Sequence, residues 1–227
     1  MFAWGGAALF AVSLGYFLFT YFVTFGETAS GALTPAAIGA DIALFTAFAL
    51  HHSVFARERV RDWVARHLSP AVERSVYVWV ASLMLIAVCA LWQPMPGVAW
   101  ELRGVKAWLL RGVQLFGVWL TLRGAAAIDI WDLSGVRQAQ GGPKGPPSEF
   151  KTEGPYGWVR HPIYLGWFLL VFAMPLMTMT RLLFAVISGL YIVIAIPFEE
   201  RSLVRASAGA YGRYQQSVRW KLVPWLY

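Results

Sequence analysis

The sequence predicts an all-α polytopic membrane bundle of about six transmembrane helices, with a C-terminal helical hairpin and a binding pocket on the cytoplasmic side. Of its 227 residues, 58% are hydrophobic and only 14% are charged, and the mean hydropathy is +0.55. Soluble domains carry about 25% charged residues. The apolar residues are gathered in long runs, as helices that cross a bilayer require.

Six apolar segments are the predicted spans: 2–25, 35–55, 76–92, 107–128, 162–177 and 182–198. No basic residue and no small-residue cleavage site accompany the first segment, so we interpret it as a membrane helix and not as a cleaved signal peptide. The fourth is the weakest, because Arg111 and Arg123 flank a short uncharged centre. These two side chains are expected to extend to opposite membrane surfaces.

The last two spans form the predicted hairpin. Only the four residues 178–181 separate them, which requires a tight antiparallel pair. The fifth span contains Pro175, which is expected to bend it or to end it. The start of the fifth span and the end of the sixth should therefore lie side by side.

Basic residues indicate the orientation. Most of the 19 lie between spans two and three, around the connection between spans four and five, and in the tail. The opposite side has only four, Arg103, Lys106, Arg111 and Arg181. The positive-inside rule then places both termini in the cytoplasm. Anionic lipid headgroups explain the net charge of +7 better than nucleic acid does. We divide the chain into an N-terminal region, 1–128, and a functional region, 129–227.

Polar chemistry is concentrated at the mouth of the hairpin. The stretch 154–166 combines glycines, prolines and tyrosines with Arg160 and His161, and Pro162 is suited to the first turn of a helix. Glu199 and Glu200 end the sixth span. Carboxylates and aromatic rings beside irregular backbone suit a cationic, nucleotide-like ligand. The alternative is that these charges only solvate a helix end and anchor the topology.

Other polar features carry weaker predictions. His51 and His52 are adjacent and do not face each other on a helix, so no metal site is predicted. The glycine- and proline-rich stretch 141–147 is either a mobile lid or a plain surface loop. Asp41 is expected either to pair within the bundle or to lie near the outer interface. Cys89, the only cysteine, is expected to be a packing residue.

Two groups of motifs carry a family resemblance. The stretch 154–166, the run from Glu199 to Leu203, and Tyr211 with Tyr214 resemble the isoprenylcysteine carboxyl methyltransferase superfamily. The stretches 52–57, 73–78, 92–94 and 129–138 are similar to the bacterial methanethiol S-methyltransferases, so that the resemblance covers most of the chain from about residue 48 onward.

The resemblance implies S-adenosylmethionine as methyl donor, a small thiol or another lipophilic molecule as acceptor, and surrounding membrane lipids. The residues implied or suggested for cofactor binding are Tyr156, His161, Pro162, Ile163, Tyr164, Glu199, Arg137, Gln138, Tyr211 and Tyr214. His161 is the candidate base, with Asp129, Asp132 and Glu200 as weaker candidates, and Arg160 is expected to order the loop or to bind the cofactor carboxylate.

Ala195 occupies the place where prenyl-protein enzymes have an arginine, which argues against a prenylcysteine substrate. A lipid or isoprenoid acceptor stays open. A non-enzymatic transport or assembly factor is the other alternative. A transporter would be expected to show repeated halves and polar residues near the midplane, and the sequence shows neither.

Overall fold

The computed structural model describes residues 2–55, 60, 63–64, 66, 70–128 and 153–227. Its helices are α1 (Phe2–Phe22), α2 (Pro35–Phe55), α3 (Pro70–Leu91), α4 (Gly104–Ile128), α5 (Pro162–Phe172), α6 (Met179–Ala206) and α7 (Ala210–Ser217). The strands β1 (Val98–Glu101) and β2 (Leu176–Thr178) pair with each other, and 3₁₀ turns cover Thr24–Gly26 and Gly154–Gly157. The all-α prediction is confirmed.

Three helices of the described residues, α1, α2 and α6, are long and apolar enough to cross a membrane. Ser75–Leu91 in α3 and Pro162–Phe172 in α5 are apolar but shorter. The predicted boundaries of the hairpin were wrong: its first helix ends at Phe172 instead of 177, and its second begins at Met179 and runs on to Ala206. Pro175 accounts for the early end, because proline disfavours helical backbone in the residue before it. The total of six spans stays a prediction.

The described residues form two compact units. Unit 1 contains the described residues up to Ala99 together with Met177–Ile187; unit 2 contains those of 100–128, 153–176 and 188–227. Helix α4 is thus grouped with the C-terminal elements, whereas the sequence suggested a division at residue 128. That division stays a prediction.

The core of unit 1 is aromatic. The ring of Phe184, which is fully buried, lies 5.2 Å from the ring of Trp92, 5.5 Å from that of Phe17 and 5.6 Å from that of Tyr21. Asp41 is buried in the same unit, and its Oδ1 accepts the backbone N–H of Gln93 at 2.8 Å. Asp41 thus pairs with the backbone just beyond the end of α3, and its position relative to the outer interface stays a prediction.

The sequence suggested that Arg181 lies in the connecting loop, but it lies in the first turn of α6. Its side chain is buried and donates to the carbonyls of Tyr21 at 2.9 Å and Phe22 at 2.6 Å. The last carbonyls of a helix have no partner within the helix, and a cation beside them is favourable. Arg181 therefore caps the C-terminal end of α1.

Unit 2 is built on a close crossing of α4 and α5. A Cβ added at Gly166 would lie 2.6 Å from the carbonyl oxygen of Gly117 and would also collide with the hydroxyl of Thr121. One at Gly124 would lie 2.8 Å from Ile163. Small residues at these places let the two backbones touch, as at many membrane helix interfaces. This contact fixes α5, whose first turn carries the polar residues predicted to form a site.

Candidate functional site

The site begins at the N-terminus of α5, in unit 2. His161 is the N-cap residue and Pro162 the first helical residue, so the predicted helix start is confirmed. The backbone N–H groups of Arg160 and His161 donate to the carbonyls of Trp220 and Lys221, each at 2.9 Å. The C-terminal tail is thereby bound to the residues that precede α5.

Glu200, near the end of α6, is the centre of a buried hydrogen-bond network. Arg160 donates from Nε to Oε1 at 2.6 Å and from Nη2 to Oε2 at 3.2 Å. Nε2 of His161 lies 3.2 Å from Oε1. Two donors from α7 complete the set, the hydroxyl of Tyr211 at 3.1 Å and the amide of Gln215 at 3.3 Å. Burial raises the pKa of Tyr211, so its hydroxyl stays protonated and donates to the carboxylate.

Arg160 has a second set of partners in the tail. Its Nη1 donates to the carbonyls of Val218 and Arg219, both at 2.8 Å. With Nε and Nη2 on Glu200, every nitrogen of the guanidinium is engaged within unit 2. The geometry therefore gives Arg160 the role of joining α6 to the tail, and contact with a bound molecule stays a prediction for this residue.

The neighbouring carboxylate points elsewhere. Glu199 is exposed, and Tyr164 donates to its Oε2 at 2.8 Å. The Tyr164 ring also stacks on the His161 ring, with centroids 5.4 Å apart and planes 6° from parallel. Consecutive residues of a helix differ in direction by about 100°. One glutamate is therefore buried while the other is presented at the surface beside two aromatic rings.

Three further tyrosines pack around this centre. The hydroxyl of Tyr214 donates to the carbonyl of Tyr156 at 2.8 Å, and the rings of Tyr211 and Tyr214 lie 5.6 Å apart. Burial raises the pKa of Tyr156 and of Tyr214. Tyr211 and Tyr214 are placed there by the turn between α6 and α7, where Ala208 and Gly209 adopt positive φ angles of 46° and 86°.

The sequence-based expectation that Glu199 or Glu200 approaches Arg160, His161 and Tyr164 is confirmed by these distances. Pro162 and Ile163, also predicted, lie against Gly124 of α4. Asp129, Asp132, Arg137 and Gln138 lie outside the described residues. Gln215 and the tail carbonyls were not among the predicted residues. The polar residues of α7, the helix that follows the glutamates, were the available signal.

Most of this chain is similar to proteins of known name. A family model described as phospholipid methyltransferase matches residues 109–209. Methanethiol S-methyltransferase 2 of Bradyrhizobium diazoefficiens is 39% identical over 194 residues, 84% of this chain and 74% of that protein. Methanethiol S-methyltransferase of Mycobacterium tuberculosis is 34% identical over 225 residues, 96% of this chain and 92% of that protein.

More distant relatives include Nurim of Xenopus laevis, which is 29% identical over 182 residues, 75% of this chain and 64% of that protein. No solved structure matches. The resemblance found in the motifs is confirmed, and the protein is a methyltransferase. The chain belongs to the isoprenylcysteine carboxyl methyltransferase superfamily, in the family of membrane proteins that includes the methanethiol S-methyltransferases.

Proposed function

We propose that this protein is an integral membrane enzyme that transfers a methyl group from S-adenosylmethionine to a small thiol such as methanethiol. The observation that carries the proposal is the similarity of 84–96% of the chain to relatives named for that acceptor. The geometry of unit 2 supports it, since the two segments that hold the superfamily motifs meet there through Glu200 and Glu199.

The residues present fit a positively charged methyl donor. Glu199 presents a carboxylate at the surface, and the stacked rings of Tyr164 and His161 lie beside it. A sulfonium cation is attracted both to carboxylates and to aromatic faces. Glu200 already accepts hydrogen bonds from four side chains, those of Arg160, His161, Tyr211 and Gln215. We therefore assign binding of the methyl donor to Glu199. Half-buried Tyr156 supplies further aromatic surface for a nucleoside, whereas Tyr211 and Tyr214 are buried in the cluster against which Tyr156 packs, so that their contact with the cofactor stays a prediction.

When bound, the donor supplies a methyl group on a cationic sulfur that is open to in-line attack by a thiolate. The chain has to orient the two sulfur atoms, exclude water and remove the thiol proton. Opposite charges are neutralised in this displacement, which a dry site favours. His161 is our candidate base. Asp129 and Asp132 stay weaker candidates outside the described residues.

The acceptor is proposed to be small for two reasons. The relatives named above act, by their names, on methanethiol. In addition, Ala195 offers no guanidinium for a substrate carboxylate one turn before Glu199. A lipid acceptor is the second candidate, because the matching family model is described as phospholipid methyltransferase.

We also propose that the donor site faces the cytoplasm of a bacterial inner membrane. The supporting observation is that most basic residues lie in the tail, between the predicted spans two and three, and around the connection between spans four and five. These three regions are predicted to lie on the same side of the membrane. The cofactor is made in the cytoplasm, so a donor site on that side needs no transport step.

The direct test is methyl transfer by the purified protein in lipid nanodiscs. Methyl-labelled S-adenosylmethionine would be supplied with methanethiol, with a prenylcysteine carboxylate, or with phosphatidylethanolamine, and labelled product would be measured for each. We expect a labelled volatile thioether from methanethiol. Label found only in the lipid would transfer the assignment to the second candidate, and no label in any product would refute the enzymatic proposal.

A further inference from the structure

The hydrogen bonds around Glu200 determine which nitrogen of His161 carries a proton. A carboxylate that receives two guanidinium bonds, the shorter 2.6 Å long, is ionised. An ionised carboxylate only accepts hydrogen bonds. Nε2 of His161, 3.2 Å from Oε1, must then be the donor. A neutral imidazole has one donor and one acceptor nitrogen, so the lone pair is on Nδ1.

The backbone of His161, one face of its ring and its partner Glu200 are held in place as well. The backbone N–H of His161 is bound to the carbonyl of Lys221 at 2.9 Å. One face of the ring is covered by the parallel ring of Tyr164. Glu200 itself is fixed by Arg160, which is bound to the tail, and by Tyr211 and Gln215 from α7. The imidazole therefore has a fixed position as well as a fixed tautomer.

We propose that Glu200 is a positioning residue that keeps His161 in the Nε2–H tautomer, so that Nδ1 removes the proton of the acceptor thiol. This inference rests on the proposed function. Nδ1 takes the S–H proton, and the thiolate sulfur forms a bond to the methyl carbon. The bond from that carbon to the donor sulfur breaks, and its electron pair stays on the donor sulfur, which becomes a neutral thioether. The proton stays on His161 until water removes it.

The arrangement explains why two adjacent glutamates are needed. The negative charge of Glu200 stabilises the imidazolium that forms, as the buried carboxylate does for the histidine of a hydrolase triad. Because Glu200 is buried and already paired, it is not itself a proton acceptor for the thiol. Glu199, on the exposed side, is assigned to the donor. The two carboxylates thus have separate tasks.

One arm of the test needs no acceptor. The protein has four histidines, and nitrogen-15 spectra of wild type and His161→Gln would identify the signals of His161. We expect a protonated Nε2 and an unprotonated Nδ1 in the neutral ring, and a mixture of tautomers in Glu200→Gln. An Nδ1–H tautomer in the wild type would overturn the inference whatever the activity.

The second arm uses two acceptors that differ in ionisation. Hydrogen sulfide is largely ionised in mildly alkaline buffer, whereas methanethiol is not. The His161→Gln variant keeps an amide N–H that can reach Glu200 but has no proton acceptor at the position of Nδ1. For this variant we expect methanethiol turnover to fall about 100-fold or more while hydrosulfide turnover falls less than about tenfold. Both rates are measured at saturating methyl donor, because the ring of His161 also borders the proposed donor site and its removal is expected to weaken donor binding.

Equal losses with both acceptors, at saturating methyl donor, would show that His161 removes no proton and would overturn the inference alone. A wild-type protein that methylates neither acceptor would refute the proposed function instead. Glu200→Gln should show the same selective loss as His161→Gln, together with lower stability. If Glu200→Gln does not fold, His161→Gln and the wild-type spectrum still decide the question.

Discussion

Replacing Gly166 with alanine tests how the helix crossing supports the site. The added methyl group would lie 2.6 Å from the carbonyl oxygen of Gly117 and would overlap the hydroxyl of Thr121. The carbonyl oxygen belongs to the backbone and cannot rotate away, so α4 and α5 have to separate. Overpacking of this kind costs about 1–3 kcal/mol.

Gly112→Ala is the matched control, because Gly112 lies on α4, is exposed and has nothing within 4 Å of an added Cβ. That change should stabilise the helix by roughly 0.5–1 kcal/mol, since glycine has more conformational freedom to lose. Because Gly166 also lies within a helix, this gain is common to both variants, and they should differ by the overpacking cost of about 1–3 kcal/mol in the free energy of unfolding.

The assay is denaturant unfolding in detergent, followed by the methyl-transfer rate of each folded variant. We expect Gly166→Ala alone to lose both stability and activity, because His161 begins the helix that is displaced. Equal stability of the two variants would refute the close crossing. Lost stability with an unchanged rate would refute the link between the crossing and the site.

Arg160→Met leaves Glu200 buried without its guanidinium and should cost about 3–5 kcal/mol in unfolding free energy, whereas exposed Arg201→Met should cost under about 1 kcal/mol; similar values for both would contradict the buried pair. Tyr164→Phe removes the hydroxyl that donates to Glu199 and should weaken the binding of S-adenosylmethionine about tenfold to 100-fold in calorimetry, the loss of one hydrogen bond to a charged group; unchanged affinity would remove Tyr164 from the site. Burial raises the pKa of Tyr211 above its ordinary 10.0, so its contribution to stability is complete below pH 10 and declines as the pH rises beyond it. Tyr211→Phe should therefore reduce the alkaline loss of stability in a pH series, and an identical pH dependence would argue against this assignment.

Much of the site followed from the sequence because it depends on local chemistry and on one geometric constraint. The short connection between two apolar segments requires their far ends to be neighbours, so Glu199 or Glu200 was expected near His161, and Glu200 lies there. Pro162 fixed the beginning of α5, since proline is tolerated in the first turn of a helix. Neither inference needed the arrangement of other elements.

The remaining contacts depend on distant packing, which composition does not encode. Which glutamate is buried is determined by the direction of α7, and that direction follows from the left-handed backbone at Ala208 and Gly209. The carbonyl partners of Arg160 are backbone groups, whose position leaves no mark in the residue type. The pairing of β1 with β2 could not be predicted either, because the two strands are too short to recognise from an alternating pattern.

The central claim is that the exposed carboxylate beside the stacked rings binds a cationic methyl donor. Isothermal titration calorimetry of S-adenosylmethionine into the nanodisc-bound protein tests it most directly, with Glu199→Gln as the variant and exposed Glu27→Gln as the matched control. We expect saturable binding to the wild type and to Glu27→Gln, and no measurable binding to Glu199→Gln. Equal affinity of all three proteins for the donor would contradict the claim.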